Sequence, residues 1–227
     1  MSASSRIRRA LPAVVVAAVL VGSAACGSGT GTASSTGATS APSFKGVVRS
    51  APLQVGDVTL PDQTAGAPGT PFAFRAKPGE LLVGYFGYTS CPDVCPTTLA
   101  NLKAARQKLG AGAEKVDLAM ETVDPERDTP EVLAGYLSHF ADRYHALRTT
   151  DPAQLQAAEE VFGASSSVTK TPEGKVEVVH TGTAYVIDEH GTVLVEWPFG
   201  ISADDMANDL RAALARIGTP TTTGSST

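Results

Sequence analysis

The chain has no apolar run long enough to cross a bilayer. Its greasy N-terminal stretch, Ala13 to Val21, falls well short of the ~20 residues a spanning helix needs. A basic excess is also missing. Lys and Arg number 18 against 23 Asp and Glu, a formal charge of −5 that becomes −8 once residues 1–25, with Arg6, Arg8 and Arg9, are set aside. That balance argues against a nucleic-acid partner, whose phosphates favour clustered Lys and Arg. No segment repeats another, which excludes stacked-repeat architectures. Cysteine and histidine are scarce, three and four in 227 residues, so each can be weighed singly.

What is present suffices for one ordinary domain with a sizeable core, at 42% apolar composition. Residues 1–25 stand outside it: three arginines, no acid, the short apolar run, then Ser23-Ala24-Ala25 before Cys26. This is the layout of a secretory signal. Cys26, directly after the small residues, resembles the lipid-modified cysteine of a bacterial lipoprotein; a plain secretory signal is the alternative. Gly27 to about Ser43 is almost entirely Gly, Ser, Thr and Ala, the composition of a flexible tether. The expected organisation is a signal over 1–25, anchor cysteine and linker over 26–46, one domain over 47–218, and a loose tail over 219–227. The domain would then be lipid-anchored on the outer face of the cytoplasmic membrane. Thiols tend to oxidise there, so any cysteine that binds metal needs a reductant.

Within the domain, Val47 to Leu60 reads as an irregular strand or hairpin and Pro71 to Arg75 as a short strand. Leu81 to Tyr88 is continuously apolar, as a strand buried on both faces would be. Thr97 to Leu109 carries Leu99, Leu102, Ala105 and Leu109 at helical spacing and stops at Gly110 and Gly112. Val116 to Val123 predicts the next strand. Thr129 caps a helix from Pro130 to about Phe140, and Asp151 another over Pro152 to Phe162. Strand, helix, strand, helix in that order points to a parallel βαβ unit with a right-handed crossover. Gly163 to Val179, turning at Pro172-Glu173-Gly174, reads as an inserted hairpin. Ala184 to Ile187 and Thr192 to Trp197 should pair antiparallel, and Ala203 to Ile217 is a closing helix.

The chemistry concentrates in Phe86-Gly87-Tyr88-Thr89-Ser90-Cys91-Pro92-Asp93-Val94-Cys95-Pro96. A thiol pair at the start of a helix lies near the positive end of the backbone dipole, which favours thiolate, both nucleophile and soft-metal ligand. Helical geometry through the loop would stack positions i and i+4 on one face. The sulfurs could then form a disulfide or share one metal ion. Two inert core cysteines, or a structural disulfide, are the plain alternatives. Pro92 and Pro96 suit a helix start.

Three motifs in order, Gly87 to Pro96, Val123-Asp124-Pro125-Glu126-Arg127-Asp128-Thr129-Pro130, and a lone His180 at the later hairpin, resemble the SCO/SenC family. Its members are membrane-tethered copper chaperones of cytochrome c oxidase assembly. The resemblance runs from about Val55 to Ile217. It implies an α/β, thioredoxin-like fold: a central mixed sheet flanked by helices, with an inserted hairpin before the ligand histidine. It also implies copper, Cu(I) and/or Cu(II), on Cys91, Cys95 and His180, a soft donor set suited to that metal. His139, His145 and His190 are read as non-ligands. Asp93 is either a turn residue or an oxygen near copper, while Asp124 and Asp128 brace the loop beneath the site. Where thioredoxins carry a cis-proline this chain has Gly182, with His180 two residues upstream on what reads as a mobile loop. The implied function is delivery of copper to the oxidase's binuclear copper centre. Partners would be the copper-containing oxidase subunit and other copper chaperones or thiol reductants. The rival is a thiol–disulfide oxidoreductase, with Cys91 and Cys95 as its redox pair, reducing the copper-ligating cysteines of the oxidase. Peroxide reduction has only fold analogy behind it.

Overall fold

The computed structural model describes residues 43–64 and 68–218. The expected signal, Cys26, most of the linker and the tail from 219 lie outside the described residues. Among the described residues no helix is long and apolar enough to cross a membrane.

The chain threads β1 (Thr59–Asp62), β2 (Thr70–Ala73), β3 (Leu81–Gly87), α1 (Val94–Leu109), β4 (Val116–Thr122), α2 (Pro130–Leu137), β5 (Tyr144–Leu147), α3 (Pro152–Phe162), β6 (Ser166–Lys170), β7 (Val176–His180), β8 (Ala184–Ile187), β9 (Val193–Trp197) and α4 (Ala203–Ile217). Seven strands form one sheet in the order β2-β1-β5-β4-β3-β8-β9, and β6 with β7 forms a separate two-stranded ribbon. β3, β4 and β5 run parallel, joined through helices; β8 returns antiparallel on β3, and β9 on β8. This is the mixed, helix-flanked sheet of a thioredoxin-like fold.

Every residue of β3 and β4 is buried. Successive strand side chains point to opposite faces, and the two faces of β3 serve different helices. Phe86 packs edge-on against Phe162 of α3, with ring centroids 5.2 Å apart. Tyr85, on the other face, neighbours Cys95 of α1. α1 in turn lies against α4, where Leu99, Leu102 and Ala105 meet the layer that holds Met206, Leu210 and Ala213. Thr129 caps α2 by accepting from the Val132 amide, and Asp151 caps α3 by accepting from Ala153.

Four local expectations shift. α1 begins at Val94, so Cys95 lies in its first turn, whereas the periodic run starts only at Thr97. α2 stops at Leu137, three residues before Phe140. β5 goes unforeseen: four residues with His145 in the middle show no usable alternation, and pairing with β4 and β1 makes them a strand. The segment from Val47 does not fold on itself. It runs along β9, bridging Val47 to Glu196 and Gln54 to Thr192, and so covers that edge of the sheet. Asp209 of α4, fully buried, secures this strap by accepting from the Lys45 amide (2.6 Å), the Gly46 amide (2.8 Å) and the Trp197 indole (3.0 Å).

Glu121 of β4 is fully buried. Its Oε1 accepts from the Thr149 amide at 2.9 Å, and Oε2 has no partner among the described residues. Burial pushes its carboxyl well above the carboxylate range, so the folded chain keeps a proton that the unfolded chain releases. The folded state binds the extra proton, and stability therefore falls as pH rises past the ordinary carboxylate value. Glu121→Gln mimics the neutral acid. The loss of Tm between about pH 5 and about pH 8 is expected to be smaller in the variant than in the parent, read by thermal denaturation. Equal losses would contradict a protonated Glu121.

Candidate metal centre

Cys91 lies in the loop between β3 and α1, Cys95 in the first turn of α1, and His180 at the end of β7. Their donor atoms, two Sγ and one imidazole nitrogen, all fall within 4.8 Å of one another. Both cysteines are free thiols. The Sγ of Cys95 stands 3.4 Å from Nε2 of His180, across 85 positions of sequence. Cys91 closes the group by folding its sulfur over the helix start, where it accepts from the Cys95 amide at 3.4 Å. That amide is one of the orphan donors of a helix N-terminus, and Asp93 provides no side-chain cap there.

This placement separates the two thiols. Burial pushes Cys91 up, but the Cys95 and Asp93 amides, with help from Cys95 and Tyr88 side chains, outweigh it and hold the thiol below its ordinary value. At Cys95 the hydrogen bonds from the Tyr88 backbone and the Tyr85 side chain pull the other way but do not offset burial. Burial, added to the neighbouring Cys91 sulfur, raises it to about 12. The helix-start argument thus holds for the first cysteine and fails for the second, which desolvation governs. Reduced, metal-free protein treated near neutral pH with a small alkylating reagent is expected to react first at Cys91. Its rate should rise with pH through a range below that of an ordinary thiol, because thiolate is the reacting form. Peptide mapping by mass spectrometry reads the site, and equal labelling of both cysteines would contradict the split.

The His180 ring is fixed in one orientation. Nδ1 lies 3.0 Å from the Thr181 carbonyl oxygen, which only accepts, so Nδ1 carries the hydrogen and Nε2 presents its lone pair to the thiols. Burial lowers its pKa, keeping the ring neutral. Two aromatic edges wall it: Tyr85 at 6.2 Å and Tyr88 at 5.6 Å between centroids, both near perpendicular. The residue is a strand end, paired with Ser166 of β6, where the sequence reads as a mobile loop. Gly182 brings the following turn against α1, since a Cβ there would stand 3.0 Å from Val94. Gly87 is needed for the same closeness. A Cβ on it would approach the Tyr85 ring to 2.7 Å and the Cys95 sulfur to 3.1 Å.

The acidic residues take the bracing roles. Asp128, fully buried, accepts from the Thr89 amide (3.0 Å), the Thr89 hydroxyl (2.5 Å) and the Thr122 hydroxyl (2.6 Å), tying the cysteine loop to the end of β4. Asp124 pairs with Arg127, whose guanidinium carbon lies 5.8 Å from the centre of the Tyr88 ring. Asp93 is exposed and accepts from the Thr97 hydroxyl at 3.2 Å, outside the three-donor group. His139, His145 and His190 lie outside it too; His145 instead pairs with Asp62 at 2.7 Å. Tyr85, Tyr88 and the Thr181 carbonyl go unnoticed in the sequence. Tyr88 does sit within the quoted motif, and Tyr85 stands just before it in the apolar strand run, where alternation turns its side chain toward α1.

A family model described as SCO1/SenC matches residues 56–215. An SCO2-like protein of Rickettsia prowazekii is 31% identical over 130 residues, covering 56% of this chain and 63% of that protein. The structure of Bradyrhizobium japonicum ScoI with copper bound is 30% identical with a TM-score of 0.57, covering 71% of this chain and 96% of that one. BsSco, described as a member of the Sco family of cytochrome c oxidase assembly proteins with a disulfide switch, shares the fold at 22% identity and a TM-score of 0.54, covering 74% of this chain and 98% of its own. The chain spans 60% to 66% of the length of four curated relatives, from Stutzerimonas stutzeri and three Rickettsia species. The matched region runs from before β1 into α4 and encloses both thiols and the imidazole: the chain belongs to the SCO1/SenC family.

Proposed function

We propose that this chain is a copper carrier, holding one copper ion on the sulfurs of Cys91 and Cys95 and on Nε2 of His180. One observation carries the reading: a helix start and a distant hairpin converge three soft or borderline donors within 4.8 Å. Two donors on one ion stand at most about twice the metal–ligand distance apart, roughly 4.0–4.6 Å for imidazole and thiolate. Three ligands spread at about 120° stand closer still, roughly 3.5–4.0 Å apart, so closing on one ion draws the donors inward from their present spread. Two thiolates and an imidazole suit Cu(I), and Cu(II) with an added oxygen. Family membership and the copper-bound relative support copper as the ion.

Cargo of this kind is delivered by ligand exchange. The oxidase-assembly description of the Sco family supports the binuclear copper centre of cytochrome c oxidase as the destination, with its copper-containing subunit as partner. Other copper chaperones would load the site and thiol reductants would keep it open. Lipid attachment at Cys26 would hold the domain on the outer face of the cytoplasmic membrane. Loading must remove the proton that Cys95 retains at neutral pH, so copper uptake releases protons and apparent affinity rises with pH. Titration of the reduced full chain with Cu(I) in weakly buffered solution tests this. One ion per chain with proton release is expected; uptake without proton release would overturn the ligand assignment.

A second reading has its own support, the split between the thiols, which is that of an attacking and a resolving cysteine. In it the Cys91 thiolate attacks a disulfide between the oxidase's copper-ligating cysteines and expels one as a thiolate. Cys95 loses its proton and displaces the other, leaving a Cys91–Cys95 disulfide and a reduced partner. His180→Ala separates the readings: it leaves both thiols in place for exchange while removing a copper ligand.

A further inference from the structure

A cavity of about 930 Å³ opens between the Val123–Glu126 turn, α3 and strand β6. It touches Ser166, Ser167 and Val168 in succession. Consecutive strand residues face opposite ways, so a cavity that meets all three runs along the edge of the strand. Among the described residues β6 is paired on one side only, with β7. At the two ends of that ladder Ser165 and Thr171 bond across to β7: the Thr181 amide donates to Ser165, and the Thr171 amide donates to Lys175. Antiparallel ladders alternate with a two-residue period, which turns the backbone N–H and C=O of Ser166, Val168 and Lys170 outward. An unpaired edge of this kind is a template for another strand.

The wall opposite carries an unspent negative charge. Glu159 of α3 is 6% exposed and lines the cavity, and among the described residues its Oε1 has no hydrogen-bond partner. The basic residues around it are engaged elsewhere. Arg148 donates to the carbonyls of Pro125 and Asp128, and Lys170 pairs with Glu126. A buried carboxylate oxygen without a donor is costly, and a cation delivered from outside would satisfy it.

We propose that this groove receives an extended segment of a partner protein, which adds to β6 as a strand and sets a lysine or arginine side chain on Glu159. Docking then acts directly on the metal centre, because Ser166 of the receiving edge is the cross-strand partner of His180. The inference deepens the carrier reading by giving it a recognition surface, but peptide capture itself needs no copper.

The test uses the reduced, metal-free full chain, labelled with ¹⁵N. The probes are acetyl-Thr-Val-Lys-Val-Thr-amide and the same peptide with glutamate at its centre. The lysine peptide is expected to shift amides of β6 and α3. Glu159→Gln should weaken that binding ~10-fold or more, the loss of one charge-assisted hydrogen bond. Val168→Pro removes an outward amide and should abolish the shifts. Cu(I) titration of Glu159→Gln, expected to match the parent, reports separately on the metal site. No shifts with the lysine peptide at millimolar concentration, equal shifts with the glutamate peptide, or unaltered binding in Glu159→Gln would each overturn the proposal.

Discussion

Cys95→Ser is expected to weaken Cu(I) binding by more than ~100-fold, beyond the 10–100-fold typical of losing a residue that merely supports a ligand. Serine nearly matches cysteine in shape but offers a hard, neutral oxygen to a soft cation. Cys95 is fully buried and its sulfur lies 3.4 Å from Nε2 of His180, and among the described residues no thiol other than Cys91 is there to replace it. Cys91→Ser and His180→Ala should each cause a sharp loss as well. Competition with a chromogenic Cu(I) chelator measures the affinity, and far-ultraviolet circular dichroism checks that each variant folds. Unchanged affinity in a folded Cys95→Ser chain would end the copper-carrier reading. If only His180→Ala rescued oxidase assembly while failing to hold copper, the exchange reading would replace it.

Asp128→Ala should cost about 3 kcal/mol or more of stability, since it strands a backbone amide and two hydroxyls that the carboxylate satisfies. The same change should speed copper release, because Thr89 stands two residues before Cys91 and loses its tie to β4. Asp128→Asn keeps an acceptor and should fall between the two. Urea denaturation gives the stability and stopped-flow chelation the release rate. A folded Asp128→Ala chain within about 1 kcal/mol of the parent, releasing copper no faster, would remove Asp128 from the bracing role.

Much of this was legible in the residues alone, for reasons that are local. β3 could be recognised because a strand buried on both faces is apolar throughout, and α4 because Met206, Leu210, Ala213 and Leu214 keep helical spacing. The ribbon before His180 announced itself by its turn at Pro172-Glu173-Gly174. What stayed hidden depends on groups far apart in the chain. β5 is a strand because β4 and β1 flank it, and the strap from Val47 rests on an edge formed by residues about 150 positions later. The thiols could not be told apart without knowing that Cys95 is sealed from water while Cys91 receives two amides. Similarly, the tautomer of His180 is set by the carbonyl of its own neighbour, which no side-chain pattern records.

The clasp formed by Asp209 has a mechanical meaning. A pull applied N-terminal to the domain would enter it through Lys45 and Gly46, and both amides hang from one carboxylate on α4 that also grips Trp197. Tension arriving there is spent in shearing the strap along β9, two strands removed from β3. Under the anchored reading proposed above, a pull on the domain would meet this clasp and the β9 edge before it reached β3.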